Sequence, residues 1–234
     1  MNISCVWEHN GNDTLLHAIS PVGAYTRGQS KEIALGKMEQ EVIDCLKWQK
    51  APIPENISVE IVQEKCSELS IADADTDVLF EAEKLPLNME TYIALKRLAL
   101  KSAKDFLELY ASVPNADIGS NLDRRTFYGK VPQTAREMYE HTKSVNSYYF
   151  SEIGMDVDNS GTIYDGRRRG FELLEKSADF LKNSVVEGSY GELWSLRKVL
   201  RRFVWHDRIH ARAMYRMAQK TFGKIGCNPF MFTR

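Results

Sequence analysis

The spacing of apolar residues changes between residues 62 and 88, and no other feature restricts the possible folds so strongly. Before the change, apolar residues sit in short runs separated by turn residues; after it they recur at steps of three and four. Residues 2–9 and 14–20 are rich in Ile, Val, Trp and Leu and flank Asn10-Gly11-Asn12-Asp13. Those turn residues tolerate positive φ, so the pair predicts a β-hairpin. A second turn at Pro21-Val22-Gly23 leads into a short extended piece through Tyr25, Thr26 and Gly28. Ser30 is placed to cap a helix in which Ile33, Ala34, Met38, Val42, Cys45 and Leu46 share helical spacing, and Pro52 and Pro54 stop it. In Ile57-Ser58-Val59-Glu60-Ile61-Val62 the alternate residues Ile57, Val59 and Ile61 fall on one face, as in a strand.

From Asn88 onward the strand signals vanish. Helices are predicted over about 88–113, 132–153, 165–183 and 191–222, with Pro132 in a first turn, where its missing N–H costs least. Four helices of this length joined by moderate loops predict a four-helix bundle. The expected fold class is therefore α+β: a small βββαβ-type module over 1–66, an acidic linker over 67–87, and an all-α four-helix bundle over 88–234. The linker expectation rests on Asp73, Asp75, Asp77, Glu81 and Glu83 among few apolar residues, although Val78-Leu79-Phe80 offers a local docking point.

Composition supports two modules. Residues 1–86 carry 7 basic and 15 acidic side chains and residues 87–234 carry 24 and 17, so a net charge of −1 conceals halves of −8 and +7 that would attract each other. The imbalance is too mild to imply nucleic acid. An apolar fraction of 43% and a charged fraction of 27% are those of an ordinary globular protein. No apolar run approaches the roughly 20 residues of a membrane span, and the first residues lack the pattern of a signal peptide; the expectation is a cytoplasmic protein without a membrane partner. Cys5, Cys45, Cys66 and Cys227 lack C-x-x-C spacing, which speaks against a zinc ribbon and for small buried hydrophobes.

The histidines carry the chemical signal. The last predicted helix has an apolar stripe at Leu193, Leu196, Val199, Leu200, Phe203, Met214 and Met217, and steps of three and four along it land on His206 and His210, one turn apart. The second predicted helix has an inward stripe at Ala135, Met138, Val145 and Tyr148 or Tyr149, and His141 falls on it. Periodicity thus aims three of the five histidines at one interior. An isolated His pair at this spacing is more often structural than metal-binding. A third His on a facing stripe shifts the balance, because an unpaired buried imidazole costs about 1–3 kcal/mol and one shared ion would satisfy all three. Neutral imidazole suits zinc, nickel or ferrous iron.

These residues also carry a resemblance. An inward His on the second helix, with Leu200-Arg201-Arg202-Phe203-Val204-Trp205-His206-Asp207-Arg208-Ile209-His210 on the last, resembles the DinB-like (YfiT-type) four-helix metalloproteins over about residues 88–223. The resemblance implies His141, His206 and His210 as ligands of a divalent metal, zinc or nickel foremost. It implies, further, a metal-dependent transfer of a low-molecular-weight thiol such as bacillithiol, mycothiol or glutathione to a small electrophile, or a hydrolase, and a homodimer. The rival expectation is a non-catalytic binding or stress-response protein whose metal only stabilises the bundle. Glu137, Asn146, Tyr149 and Asp207 lie near the ligands in sequence, but none is assigned catalysis. Asp207, about 100° around the helix from His206, is expected to face a neighbouring helix or solvent.

Calcium-loop and basic-run patterns also occur in the second half of the chain. Asp156-Val157-Asp158-Asn159-Ser160-Gly161-Thr162-Ile163 matches the start of an EF-hand loop, but position twelve is Arg167 where calcium needs a bidentate Glu. The runs Arg167-Arg168-Arg169 and Arg201-Arg202 are expected to be solvated faces or domain contacts rather than phosphate sites. His9 and His17 are expected to be surface or half-buried structural residues. Near the N-terminus, Gly23 to Ala34 followed by a helix through Leu46-Lys47-Trp48 is similar to the HicB-like antitoxin domain over about residues 1–65, which implies an interaction, ligand-sensing or dimerisation module. Ile19-Ser20-Pro21-Val22 stands where that family often has an acidic loop, and no DNA-binding element follows.

Overall fold

A computed structural model describes residues 1–11, 13–119, 125–126, 129–223 and 225–232. The chain is mixed α+β, with a sheet in its N-terminal part and helices in its C-terminal part, and it divides into two units, Met1–Lys84 and Leu85–Arg234.

In the first unit β1 (Asn2–Asn10), β2 (Asp13–Ala18), β3 (Tyr25–Gly28) and β4 (Ser58–Cys66) form one sheet in the order β3-β2-β1-β4. The predicted hairpin is present, with Asn10 opposite Asp13 and Gly11 at φ +64°, in the left-handed region that glycine enters without steric cost. β1 pairs antiparallel with β2 and parallel with β4, and parallel pairing requires a crossover, which α1 (Lys31–Gln49) lies within. Ser30 caps α1 as its sequence suggests, its hydroxyl accepting from Ile33 N at 3.3 Å. Val62 is an extra residue in β4, where the register against β1 slips between Cys5 and Val6.

The expected linker is not one. Residues 67–84 pack into the first unit: Ile71, Val78 and Phe80 are buried, and Val78 and Phe80 close over Val6 from one face of the sheet. The acids of this stretch are held by specific partners. Lys65 pairs with Asp77 at 2.5 Å, and the buried Glu8 accepts from the Thr76 hydroxyl and from Asp77 N–H. Residues 85–87 belong instead to the second unit, where Leu87 N–H donates to Leu181 O at 2.9 Å and Arg197 binds the carbonyls of Leu85 and Pro86. A few large apolar residues decided the matter, because burying Phe80 and Val78 outweighs the mean polarity of the segment.

The second unit contains α2 (Met89–Ala111), α3 (Ala135–Ser151), α4 (Ile163–Leu174) and α5 (Leu196–Phe222). α5 packs against α2 and α3, and α4 packs against the same two. Its core is aromatic: Phe150, Phe171 and Phe203 are all fully buried with ring centroids 5.2–6.1 Å apart. Gly170 allows α3 and α4 to approach, since a Cβ there would lie 2.0 Å from the Phe150 ring. The helix starts follow side-chain caps: Asn88 for α2, Ser195 for α5, and reciprocal capping boxes Thr134/Glu137 and Thr162/Asp165 for α3 and α4.

One boundary in each of α4 and α5 departs most from its predicted position. α4 ends at Leu174 rather than near Asn183, because the chain turns back to set Phe180 edge-on against Tyr92 at 4.8 Å. α5 begins at Leu196, because Leu193–Trp194 form β8, paired with β7 (Val186–Glu187). A second short pair joins β5 (Arg125–Thr126) to β6 (Gly129–Lys130), so strands do occur beyond residue 88. Pro132 lies before the first turn of α3 rather than in it. No helix among the described residues is long and apolar enough to cross a membrane.

Candidate metal centre

α5 carries its apolar stripe largely as the sequence suggests: Leu196, Val199, Leu200, Phe203, Met214 and Met217 are buried, while Leu193 lies outside the helix and is 45% exposed. On α3 the inward residues are Ala135, Met138, Val145 and, of the two tyrosines, Tyr149. These stripes bring His141, His206 and His210 together. One nitrogen from each lies within 4.8 Å of the others, and they form a potential metal-binding cluster among the described residues. Ring centroids are 4.3 Å apart for His206 and His210, 4.6 Å for His141 and His210, and 5.2 Å for His141 and His206. The rings are inclined by 40–68° to one another, so they are not a stack.

His206 is buried, and His141 and His210 are half-buried, so the cluster runs from the interior toward solvent. Burial first, and then the neighbouring imidazoles, hold His206 well below the ordinary histidine value. Burial and His141 bring His210 down to about 3, and burial alone lowers His141. All three are therefore neutral at pH 7, the state in which a ring nitrogen has a lone pair to give. The Nδ1 of His206 is buried without a hydrogen-bond partner. Three neutral nitrogen donors, one of them orphaned in the interior, fit a borderline cation such as zinc or nickel better than a hard oxygen-seeking one.

The wall beside His206 is aromatic and cationic. Tyr149 meets His206 edge-on at 6.0 Å, and the Arg202 guanidinium, one turn before His206, lies 5.1–5.6 Å from the rings of Tyr149, Trp194 and Trp205. Lys198, a further turn back, is buried against Trp194 and pairs with Glu192 at 2.8 Å, and burial brings its ammonium down to about 8.

Of the residues near the ligands in sequence, Glu137 is spent on the α3 cap and does not reach the cluster. Asp207 faces the neighbouring helices and is fully buried, where it takes a bidentate ion pair from Arg167 and a hydrogen bond from the Ser102 hydroxyl. Asn146 is buried and accepts from Arg167 Nε at 3.0 Å. The basic runs are thus not uniformly solvated. Arg168 pairs with Glu172 and Arg169 with Asp158 at the surface, but Arg167 is fully buried and Arg201 and Arg202 are nearly so. In the loop that resembles an EF-hand start, Asp158 is occupied by Ser160 and Arg169, and Asp165 caps α4.

Sequence reasoning missed Arg167. The signal that marks it is its spacing: it falls on the same buried stripe of α4 as Ile163, Gly170, Phe171 and Leu174. Elsewhere, His9 stacks on Trp7 at 4.1 Å and meets Glu64 at 3.0 Å, while His17 is more deeply buried than expected, with its Nε2 3.8 Å from Glu8.

Comparison of the chain with family models, with curated proteins and with solved structures returns no match.

Proposed function

We propose that the second unit is a DinB-like four-helix bundle that holds one divalent metal ion through His141, His206 and His210 and uses it to transfer a low-molecular-weight thiol to a small electrophile, or to hydrolyse a small substrate. The observation that carries this reading is the meeting of three neutral imidazoles from two helices with the buried Nδ1 of His206 left without a partner. Zinc or nickel is the preferred ion, with ferrous iron next. The chemistry such an ion supplies when bound is acidification of a coordinated water or thiol near neutral pH.

The chain's own residues do the rest. His206 anchors from the interior, and His141 and His210 stand at the half-buried side, where a small molecule has access. Tyr149, Trp194 and Trp205, with Arg202 over them, limit water on the buried side. In this reading the first unit, similar to the HicB-like domain in its run of elements, is an interaction module and contributes no chemistry.

The test has two steps. Metal content by mass spectrometry is expected to be about one ion per chain for a three-ligand site, and to fall strongly in His141→Ala, His206→Ala and His210→Ala taken separately. A thiol-conjugation screen with and without chelator then reads the chemistry. Full metal content in all three variants removes the site, whereas activity indifferent to the chelator removes the metal-dependent reaction and leaves a metal-stabilised binding protein.

A further inference from the structure

We propose that Arg167 is a positioning residue for the histidine cluster, a single guanidinium that fixes the separation and rotation of the two helices supplying the imidazoles. The inference rests on the metal-site reading above and deepens it.

His141 comes from α3 and the His206/His210 pair from α5, while Arg167 belongs to α4, yet its side chain is bonded to both ligand-bearing helices. Toward α3, Nε donates to Asn146 Oδ1 at 3.0 Å, and Asn146 Nδ2 donates back to Ile163 O of α4 at 2.8 Å. Toward α5, Nη2 donates to Asp207 Oδ1 at 3.0 Å and Nη1 to Oδ2. Nη1 also reaches Ala99 O at 3.0 Å and Ser102 Oγ at 3.3 Å on α2, and Ser102 donates its hydroxyl proton to Asp207 Oδ2 at 2.5 Å. Arg167, Asp207, Ser102 and Asn146 are all fully buried, and the guanidinium lies 4.2 Å from the Phe203 ring centroid.

Rotation of α5 is thereby constrained. Asp207 is about 100° around the helix from His206, so turning α5 to aim its imidazoles elsewhere would pull Asp207 from a bidentate pair in the interior. Such an unpaired buried charge is strongly disfavoured. Sliding α3 is resisted in the same way through Asn146, five residues from His141. A planar guanidinium can hold this geometry because its donors diverge in one plane, two of them matching the Asp207 carboxylate while Nε faces Asn146; an ammonium has no such fork. The imidazoles form no such bonds of their own among the described residues, so their convergence depends on what holds the helices.

The experiment uses the full-length protein and Co²⁺ as the probe, with affinity and the visible absorption bands as readouts. Arg167→Met/Asp207→Leu removes both buried charges together, which limits the loss of stability. Arg167→Lys keeps a charge opposite Asp207 but gives up the fork, and it carries the test if the double variant does not fold. Phe106→Leu, a core change outside the network, controls for general loosening. The expected result is a loss of Co²⁺ affinity of about 10–100-fold, the range seen when groups supporting metal ligands are removed. Altered bands are expected in both Arg167 variants, and neither change in Phe106→Leu. Wild-type affinity and bands in a folded Arg167 variant overturn the positioning role alone. A wild-type chain that does not bind Co²⁺, or a His206→Ala variant that binds it equally well, overturns the metal site and this inference together.

Discussion

Replacing His206 separates a ligand from a structural histidine. No protein group among the described residues hydrogen-bonds its buried Nδ1, a burden of about 1–3 kcal/mol when no ion is supplied, so His206→Leu is expected to keep or raise the melting temperature of chelator-treated protein. In the same variant the rise in melting temperature that zinc confers on the wild type, by binding the folded state, is expected to disappear. Thermal melts of both proteins with zinc and with chelator check this; a variant that melts well below wild type in chelator marks His206 as structural. The three histidines themselves were legible from spacing, because apolar period and helix geometry together fix which way a side chain points. Arg167 was not legible as a buried anchor, because its partner Asp207 lies 40 residues away in sequence and nothing local announces that pairing.

At the scale of elements, residues 67–84 give the sharpest contrast. By composition they are a linker, and by structure they cover one face of the sheet, with Phe80 1% exposed. Phe80→Ala is therefore expected to destabilise the first unit by about 3–5 kcal/mol, the usual cost of emptying a buried aromatic site; a true linker would lose almost nothing. Chemical denaturation followed by the fluorescence of Trp7 and Trp48 reads this unit. The helices were more legible than the segments between them. Caps at Ser30, Asn88, Thr134, Thr162 and Ser195 are local signals; the expected helix starts coincide with the first two, and the other three starts differ from expectation by a few residues. The early end of α4 and the β7–β8 pair depend on contacts of Phe180 and Trp194 with distant side chains, which no window of sequence contains.

For the whole molecule, acid is expected to act on the two units over different ranges. In chelated protein the lowered histidines bind protons more readily once unfolded. Stability from their neutral burial is complete above about pH 6.5, the ordinary histidine value, and declines as pH falls toward the His210 value of about 3. In the first unit, burial pushes the Glu8 carboxyl up, but His17, the Thr76 hydroxyl and Asp77 N–H outweigh it and bring it down to about 2. Its contribution is complete above the ordinary value of 4.5 and is lost between 4.5 and about 2. On acidification the second unit should thus weaken before the first. Peptide-resolved hydrogen exchange at pH 5.5 is expected to show lost protection in α5 with β1 and β2 still protected; the reverse order contradicts the assignment.

The sequence alone determined the mixed class, the order of sheet and helices, and the identity of the three converging histidines, since each follows from a period or a turn signal contained within a few residues. Tertiary structure alone decided that Asp77 pairs with Lys65 in the first unit, and that Arg167 meets Asp207 and Asn146 in the interior of the second. Those outcomes are set by desolvation and by partners far apart along the chain, and a charged residue bears no local mark of whether a partner will meet it inside.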